Sequence, residues 1–333
     1  MISLENRQNQ IYLAPFQGIT TNIFREIYTH HFPGVDKLFT AFFTGIENAK
    51  SLKSKKAELE QTHHNHILVV PQILSKDAQE IILFGQLCQE KGFEEINWNL
   101  GCPFPRVAKK RRGSGLLPYP EMVREILEEA IPKLPVKFSI KCRLGYNEPD
   151  EIMDLIPVFN DFPLSELIIH ARIGKQLYKG DVNLAAFEEA MAQAKMPIAY
   201  NGDIFSVEDF QEMNNRFPAI EKWMMGRGLL ADPFLPSGIK ELPQAEDKKI
   251  ILKKFVDDLY AGYRHKMNDR LQAINVMKEL WSYLSLSFDQ PGKAFGKIKK
   301  CTSFDAYEDA VHAVFENYYW QGNGGRSLLN LIS

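Results

Sequence analysis

The chain has 333 residues, 45% of them hydrophobic, enough to bury one large core with a smaller unit beside it. Its 40 Lys and Arg nearly balance 42 Asp and Glu, for a formal net charge of -2. This excludes a globally basic nucleic-acid binder, so a site for a polyanion must be a local patch. Four scattered cysteines (Cys88, Cys102, Cys142 and Cys301) form no C-x-x-C pair. That pattern argues against a disulfide framework or a cysteine-based zinc site and fits a reducing compartment. The first ten residues lack an apolar signal core and no run reaches membrane-spanning length, so a cytoplasmic protein is expected.

Apolar runs of strand length recur at Ile11–Pro15, Lys37–Phe42, Ile67–Leu74, Glu95–Leu100, Val136–Lys141, Glu166–His170, Pro197–Asn201 and Lys222–Gly226. Most are separated by segments of helical spacing, such as Ala78, Ile81, Ile82, Gly85 and Leu87. Ser75 and Ser206 are placed to cap helices. Strand and helix alternating through about eight units predict an α/β fold, a (β/α)8 TIM barrel over residues 1–240. An open doubly wound sheet is the alternative, but no G-x-G-x-x-G follows the first strand.

After Pro236 the alternation stops. Stripes at Ile251, Phe255, Leu259 and Tyr263, at Leu271, Ile274, Met277, Trp281 and Leu284, and at Tyr307, Val311, Val314 and Phe315 have helical spacing. A small all-helical C-terminal domain is expected over 245–333, joined by a linker near Leu242-Pro243, with a loose tail at Gly322–Gly325.

Pro15, Gln72, Asn99, Lys141, His170, Asn201 and Gly226 all fall at or near the C-terminal tips of these runs. In a barrel, such tips converge on one mouth, where ligands sit. Asn99-Leu100-Gly101-Cys102-Pro103 ends the fourth run and places a thiol there. Cys102 could serve as nucleophile, metal ligand or general acid; a metal role is weak, with no second Cys or His at ligand spacing. Lys109, Lys110, Arg111 and Arg112 follow, and Gly113-Ser114-Gly115 closes the loop. A basic run is ordinarily a solvated face, but beside a reactive thiol it suits a polyanion.

Asn201-Gly202-Asp203-Ile204 and Gly226-Arg227-Gly228 end the seventh and eighth runs, where barrels commonly hold phosphate. Lys141, ending an apolar strand, calls for an anionic or electron-rich partner such as the edge of a flavin. His170 and Arg172 could reach a phosphate or a ring, and Gln72 suits the edge of a pyrimidine-like ring. His63, His64 and His66 read as solvated loop residues, and no metal site is expected. Lys293, Lys297, Lys299 and Lys300, interleaved with Phe295, could extend a phosphate-tracking surface.

These segments together resemble the tRNA-dihydrouridine synthases, the bacterial members above all. The resemblance is carried by Leu13-Ala14-Pro15-Phe16-Gln17-Gly18, Pro71-Gln72, Asn99–Pro103 with Gly113-Ser114-Gly115, Lys141–Gly145, His170-Ala171-Arg172 with Tyr178 and Gly180, Asn201–Ile204 and Met225–Gly228. Phe16-Gln17, Ala171 and Gly115-Leu116 depart from the commoner residues of that family.

The resemblance implies an FMN-binding barrel that reduces specific uridines in tRNA, with NADPH or NADH as reductant. Hydride would pass from flavin N5 to C6, and Cys102 would give the proton to C5 as general acid. It further implies that Pro15, Phe16, Gln17, Gln72, Lys141, His170, Asn201, Gly202, Asp203, Gly226 and Arg227 bind the cofactor. Asn99 and Arg172 would face the base, and Lys109–Arg112 the RNA. A monomer with tRNA as its partner is expected. The alternative is a flavin barrel reductase of a small molecule, of dihydroorotate or enoate type.

Overall fold

The expected runs form one all-parallel sheet in a computed structural model that describes residues 9–60, 67–244 and 246–322. His63, His64, His66 and most of the Gly322–Gly325 segment lie outside the described residues. The strands are β1 (Gln10–Leu13), β2 (Lys37–Phe39), β3 (Leu68–Val70), β4 (Gln72–Ile73), β5 (Glu95–Leu100), β6 (Lys137–Gly145), β7 (Leu167–Ile173), β8 (Ile198–Asn201) and β9 (Lys222–Met225).

Their order is β3-β2-β1-β9-β8-β7-β6-β5-β4. β3 and β4 are halves of one expected run, parted at Pro71, which has no N–H to give a ladder. β2 pairs with β3 and β4 pairs with β5, so the sheet closes on itself as a barrel of eight strand positions. β6 and β7 run past their expected ends to Gly145 and Ile173.

Side chains alternate across this wall. Ile11, Leu13, Leu38, Ile73, Ile96 and Trp98 face out into a large apolar shell shared with the surrounding helices. Tyr12, Phe39, Val70, Ile168, Ala199 and Met224 form a separate interior core. At the N-terminal end of the barrel, Glu166 accepts hydrogen bonds from Lys37 Nζ (2.7 Å), Lys222 Nζ (3.1 Å) and Tyr12 Oη (3.0 Å).

Helix Val207–Arg216 begins with the expected Ser206 cap, completed by Asp209. Asp77, rather than Ser75, caps helix Ala78–Gln89, while Ser75 Oγ accepts from the Asp77 N–H at 3.0 Å.

The C-terminal stripes become helices Lys248–Lys266, Gln272–Leu284, Pro291–Lys299 and Phe304–Asn317. Leu271, expected on a buried stripe, precedes its helix and stays exposed. Phe255 packs against Phe24 and Phe32 of the first barrel helix and its C-terminal cap, at ring separations of 6.0 and 4.8 Å. Tyr263 Oη sits 2.8 Å from Thr21 Oγ1 and donates to Ile19 O at 3.1 Å. The helical region is thereby tied to the loop after β1. None of the described helices is long and apolar enough to cross a membrane.

Candidate active site

Continuing the inward alternation to the C-terminal tips gives one residue from each strand position: Ala14, Ala41, Gln72, Asn99, Lys141, His170, Asn201 and Gly226. All eight line one cleft of about 1080 Å³, its open mouth included. Pro15, Phe16, Gln17, Cys102, Gly202, Asp203 and Arg227 line it too. The small Ala14, Ala41 and Gly226 belong to neighbouring strands and leave flat wall, while the remaining tips are polar.

The turn after β5 is held from three sides. Asn99 Oδ1 accepts from the Gly101 and Cys102 N–H groups at 3.0 and 2.9 Å, an Asx turn. The Ser114 N–H and hydroxyl both donate to Cys102 O at 3.1 Å. Arg143 Nε donates to Gly101 O at 3.0 Å. Cys102 is buried except toward the cleft, and burial pushes its thiol pKa up. The Phe104 N–H and the charges of Arg143, Arg106 and Lys141 oppose that shift without overcoming it. The thiol therefore keeps its proton at neutral pH, which suits an acid better than a nucleophile.

Cations dominate the floor. The Lys141 side chain has neither an ion pair nor a hydrogen bond among the described residues. Burial, reinforced by Arg143, brings its pKa down to about 8. His170 is held far below the usual histidine range by burial, with Arg143, Lys141, Arg172 and Arg227 adding to the effect. It is neutral. Its Nε2 lies 3.2 Å from Arg172 Nη1, and a guanidinium can only donate, so the imidazole proton sits on Nδ1.

Arg172 is fully buried and stands behind the cleft wall. Nε donates to Lys179 O (3.3 Å), Nη1 to His170 and to Asp203 Oδ1 (3.0 Å), and Nη2 to Gly180 O (2.8 Å) and Asp203 Oδ2. All five donors are engaged. Expected to face a substrate base, it instead braces His170 and Asp203. Arg227 shares Asp203 Oδ1 at 2.6 Å and lies over the rings of Tyr178 and Phe205. Asn99, with Oδ1 committed to the turn and Nδ2 donating to Gln72 Oε1 at 2.6 Å, keeps one N–H toward the cleft.

The basic run stands outside the cleft. Lys109, Lys110 and Arg111 are exposed and Arg112 is half-buried. Arg111 lies 4.5 Å from the centre of the Tyr119 ring, and Arg112 reaches Thr44 Oγ1 at 3.2 Å.

Several lining residues escaped the sequence reading as site residues: Phe104, Arg143, Tyr178, Glu279 and Tyr283. Arg143 was within reach, since it shares Lys141's strand parity. Glu279 and Tyr283 come from helix Gln272–Leu284, and Tyr283 meets Phe16 edge-on at 5.8 Å. Nothing local distinguishes them, because their position depends on how the helical region docks.

The fold resembles an old yellow enzyme homologue from Zymomonas mobilis, with TM-score 0.52 and 10% identity over 74% of this chain and 92% of that one. Morphinone reductase gives TM-score 0.51 and 11% identity over 73% and 89%. At such identities the likeness concerns the fold alone. In sequence, the chain is 28% identical over 267 residues to tRNA-dihydrouridine synthase B of Pasteurella multocida, covering 77% of this chain and 79% of that protein. It is 26% identical over 325 residues to the Escherichia coli protein of that name, covering 93% and 97%. It is also 26% identical over 302 residues to tRNA-dihydrouridine(16) synthase of Pseudomonas putida, covering 87% and 93%. The family model for dihydrouridine synthase matches residues 12–310, and this chain belongs to that family.

Proposed function

We propose that this protein reduces the C5=C6 bond of uridines in tRNA, with FMN bound in the cleft and NADPH or NADH as reductant. The observation that carries this reading is one cleft holding both a thiol kept protonated and a half-buried cation without a counter-ion among the described residues. The residues fit a flavin: Lys141 would face its electron-rich edge, and Gln72 and His170 would meet the ring with N–H donors. Pro15, Phe16 and Gln17 would line it, with Asn201, Gly202, Asp203, Gly226 and Arg227 at the phosphate end. When bound, the flavin supplies hydride to uracil C6.

Cys102 then delivers its proton to C5, where negative charge develops, so the barrier falls without a free carbanion. Asn99 holds the thiol-bearing turn and offers its remaining N–H to the base. Arg172 acts at one remove, by fixing His170 and Asp203. The target uridine must leave its stack to enter the cleft. Lys109, Lys110, Arg111 and Arg112 would track the RNA backbone beside it. Residues from 245 onward would form a tRNA-binding unit, on which Lys293, Lys297, Lys299 and Lys300 are all exposed.

Mapping dihydrouridine in tRNA from cells with and without the protein tests the proposal. It fails if the purified, flavin-loaded protein reduces a free small molecule while leaving tRNA untouched at any salt concentration. That outcome would favour the small-molecule reductase instead. A cytoplasmic monomer accords with this role.

A further inference from the structure

A line of polar side chains runs up the inside of the barrel to the Cys102 turn. Ser139 Oγ donates to Ile96 O (3.4 Å), and Asn97 Nδ2 donates to Ser139 Oγ (2.9 Å). Gln72 Nε2 donates to Asn97 Oδ1 (2.8 Å), and Asn99 Nδ2 to Gln72 Oε1 (2.6 Å). Asn99 Oδ1 then accepts from Gly101 and Cys102. Gln72, Asn97 and Ser139 are completely buried, and neither Asn97 nor Ser139 lines the cleft.

This line has one possible polarity. The two backbone N–H groups at the top can only donate, so Asn99 must turn its oxygen up and its nitrogen down. Gln72 must then accept from above and donate below, and Asn97 likewise. The Ile96 carbonyl, which can only accept, ends the series. Turning over any single amide sets nitrogen against nitrogen or oxygen against oxygen.

We propose that Asn97 and Ser139 are positioning residues: they hold Gln72 and Asn99 in a single amide orientation and so fix the turn that carries Cys102. The orienting effect rests on hydrogen bonds within this chain. Its consequence for turnover rests on the uridine-reducing role proposed above, where a misdirected Gln72 or a loosened Cys102 would slow proton delivery rather than tRNA binding.

Two substitutions separate orientation from stability. Asn97→Leu fills the space but removes the acceptor for Gln72 Nε2. Asn97→Asp keeps that acceptor, and Ser139 can rotate its hydroxyl from Ile96 O to the new oxygen, so the upper line is unchanged. The Asp variant buries a carboxyl group and is the less stable of the two.

The rate of iodoacetamide labelling is read at each cysteine by peptide mass spectrometry, alongside the unfolding midpoint. Asn97→Leu is expected to label Cys102 roughly fivefold faster, the effect of one lost neutral hydrogen bond. Asn97→Asp stays within about twofold of the unaltered protein despite its lower midpoint. The fully buried Cys88 and Cys142 stay unlabelled in both, reporting an intact barrel.

With tRNA, kcat falls in Asn97→Leu, the variant that labels faster, stays near the unaltered value in Asn97→Asp, and KM does not move in either. Labelling that tracks stability, or an Asn97→Leu protein that labels at the unaltered rate, overturns the proposal. If the unaltered protein leaves tRNA unreduced, the function proposed above fails while the labelling comparison still decides the positioning role.

Discussion

Gly113 is pressed against Cys102. A Cβ built at Gly113 would stand 2.6 Å from the Cys102 carbonyl oxygen and 2.9 Å from its Cβ, and the Gly113 φ of 56° lies in the left-handed region. The basic loop thus returns onto the thiol-bearing turn through a contact that only glycine permits. Gly113→Ala is expected to cost roughly 1–3 kcal/mol from the backbone conformation alone. Turnover should fall further than that loss predicts, because the clash displaces Cys102. Urea unfolding beside kcat at a temperature where both proteins are folded checks this.

Cys102 should leave its mark on the pH profile. An acid must hold its proton, so the rate is flat below the thiol pKa and falls as pH rises through it. Burial has moved that pKa upward, and the alkaline limb should lie above the range of an ordinary thiol. Cys102→Ala should lose on the order of 100-fold or more in single-turnover reduction, within the span of general acid catalysis. FMN binding, read by quenching of flavin fluorescence, should persist.

Lys141 titrates at about 8 in the cofactor-free protein. Its charge is complete well below that value and lost above it. FMN affinity should therefore decline as pH rises past about 8. Lys141→Met should bind FMN more weakly near neutral pH, roughly tenfold if one charge-assisted contact is lost. It should also lack the decline. Fluorescence titrations from pH 6.5 to 9.5, ~3 units across the transition, resolve the two.

Asp203 neutralises two guanidinium groups, that of Arg172 wholly buried and that of Arg227 half-buried. Asp203→Ala leaves Arg172 buried without its carboxylate, and should destabilise the protein by roughly 3–5 kcal/mol. Arg172→Met, which removes the charge and keeps most of the volume, should cost less. Chemical denaturation of both variants gives the ordering; equal losses would show that the pair is not what supports this wall.

The exposed Lys109, Lys110 and Arg111 should act on RNA and not on flavin. Replacing all three by Ala should lower the slope of log affinity against log salt by about 1 per side chain. FMN binding should be unchanged. tRNA binding measured across a salt series is the check.

Much of the cleft was legible because strand parity and strand end together define it. Lys141, His170, Asn201 and Gly226 could each be placed from an apolar run ending in a polar or small residue, and Gln72 and Asn99 from a polar residue within two positions of a run's end. The burial of Arg172 could not, because its carboxylate partner lies 31 positions away in another loop. The split at Pro71 was written in a residue that cannot donate, yet a continuous apolar run from Ile67 to Leu74 concealed it. Glu279 and Tyr283 were hidden for a different reason. They flank a buried stripe on a helix, and only docking on the barrel turns that flank toward Phe16.

Glu166, at the closed end of the barrel, draws Lys37, Lys222 and Tyr12 onto one carboxylate. These partners come from opposite halves of the sequence. A fragment ending before β6 would leave Lys37 with Glu95 alone and Tyr12 with Gln10 alone, and a fragment beginning there would bury Glu166 with Lys222 alone. Neither half-barrel is electrostatically complete, so separated halves recover the native arrangement only by joining each other.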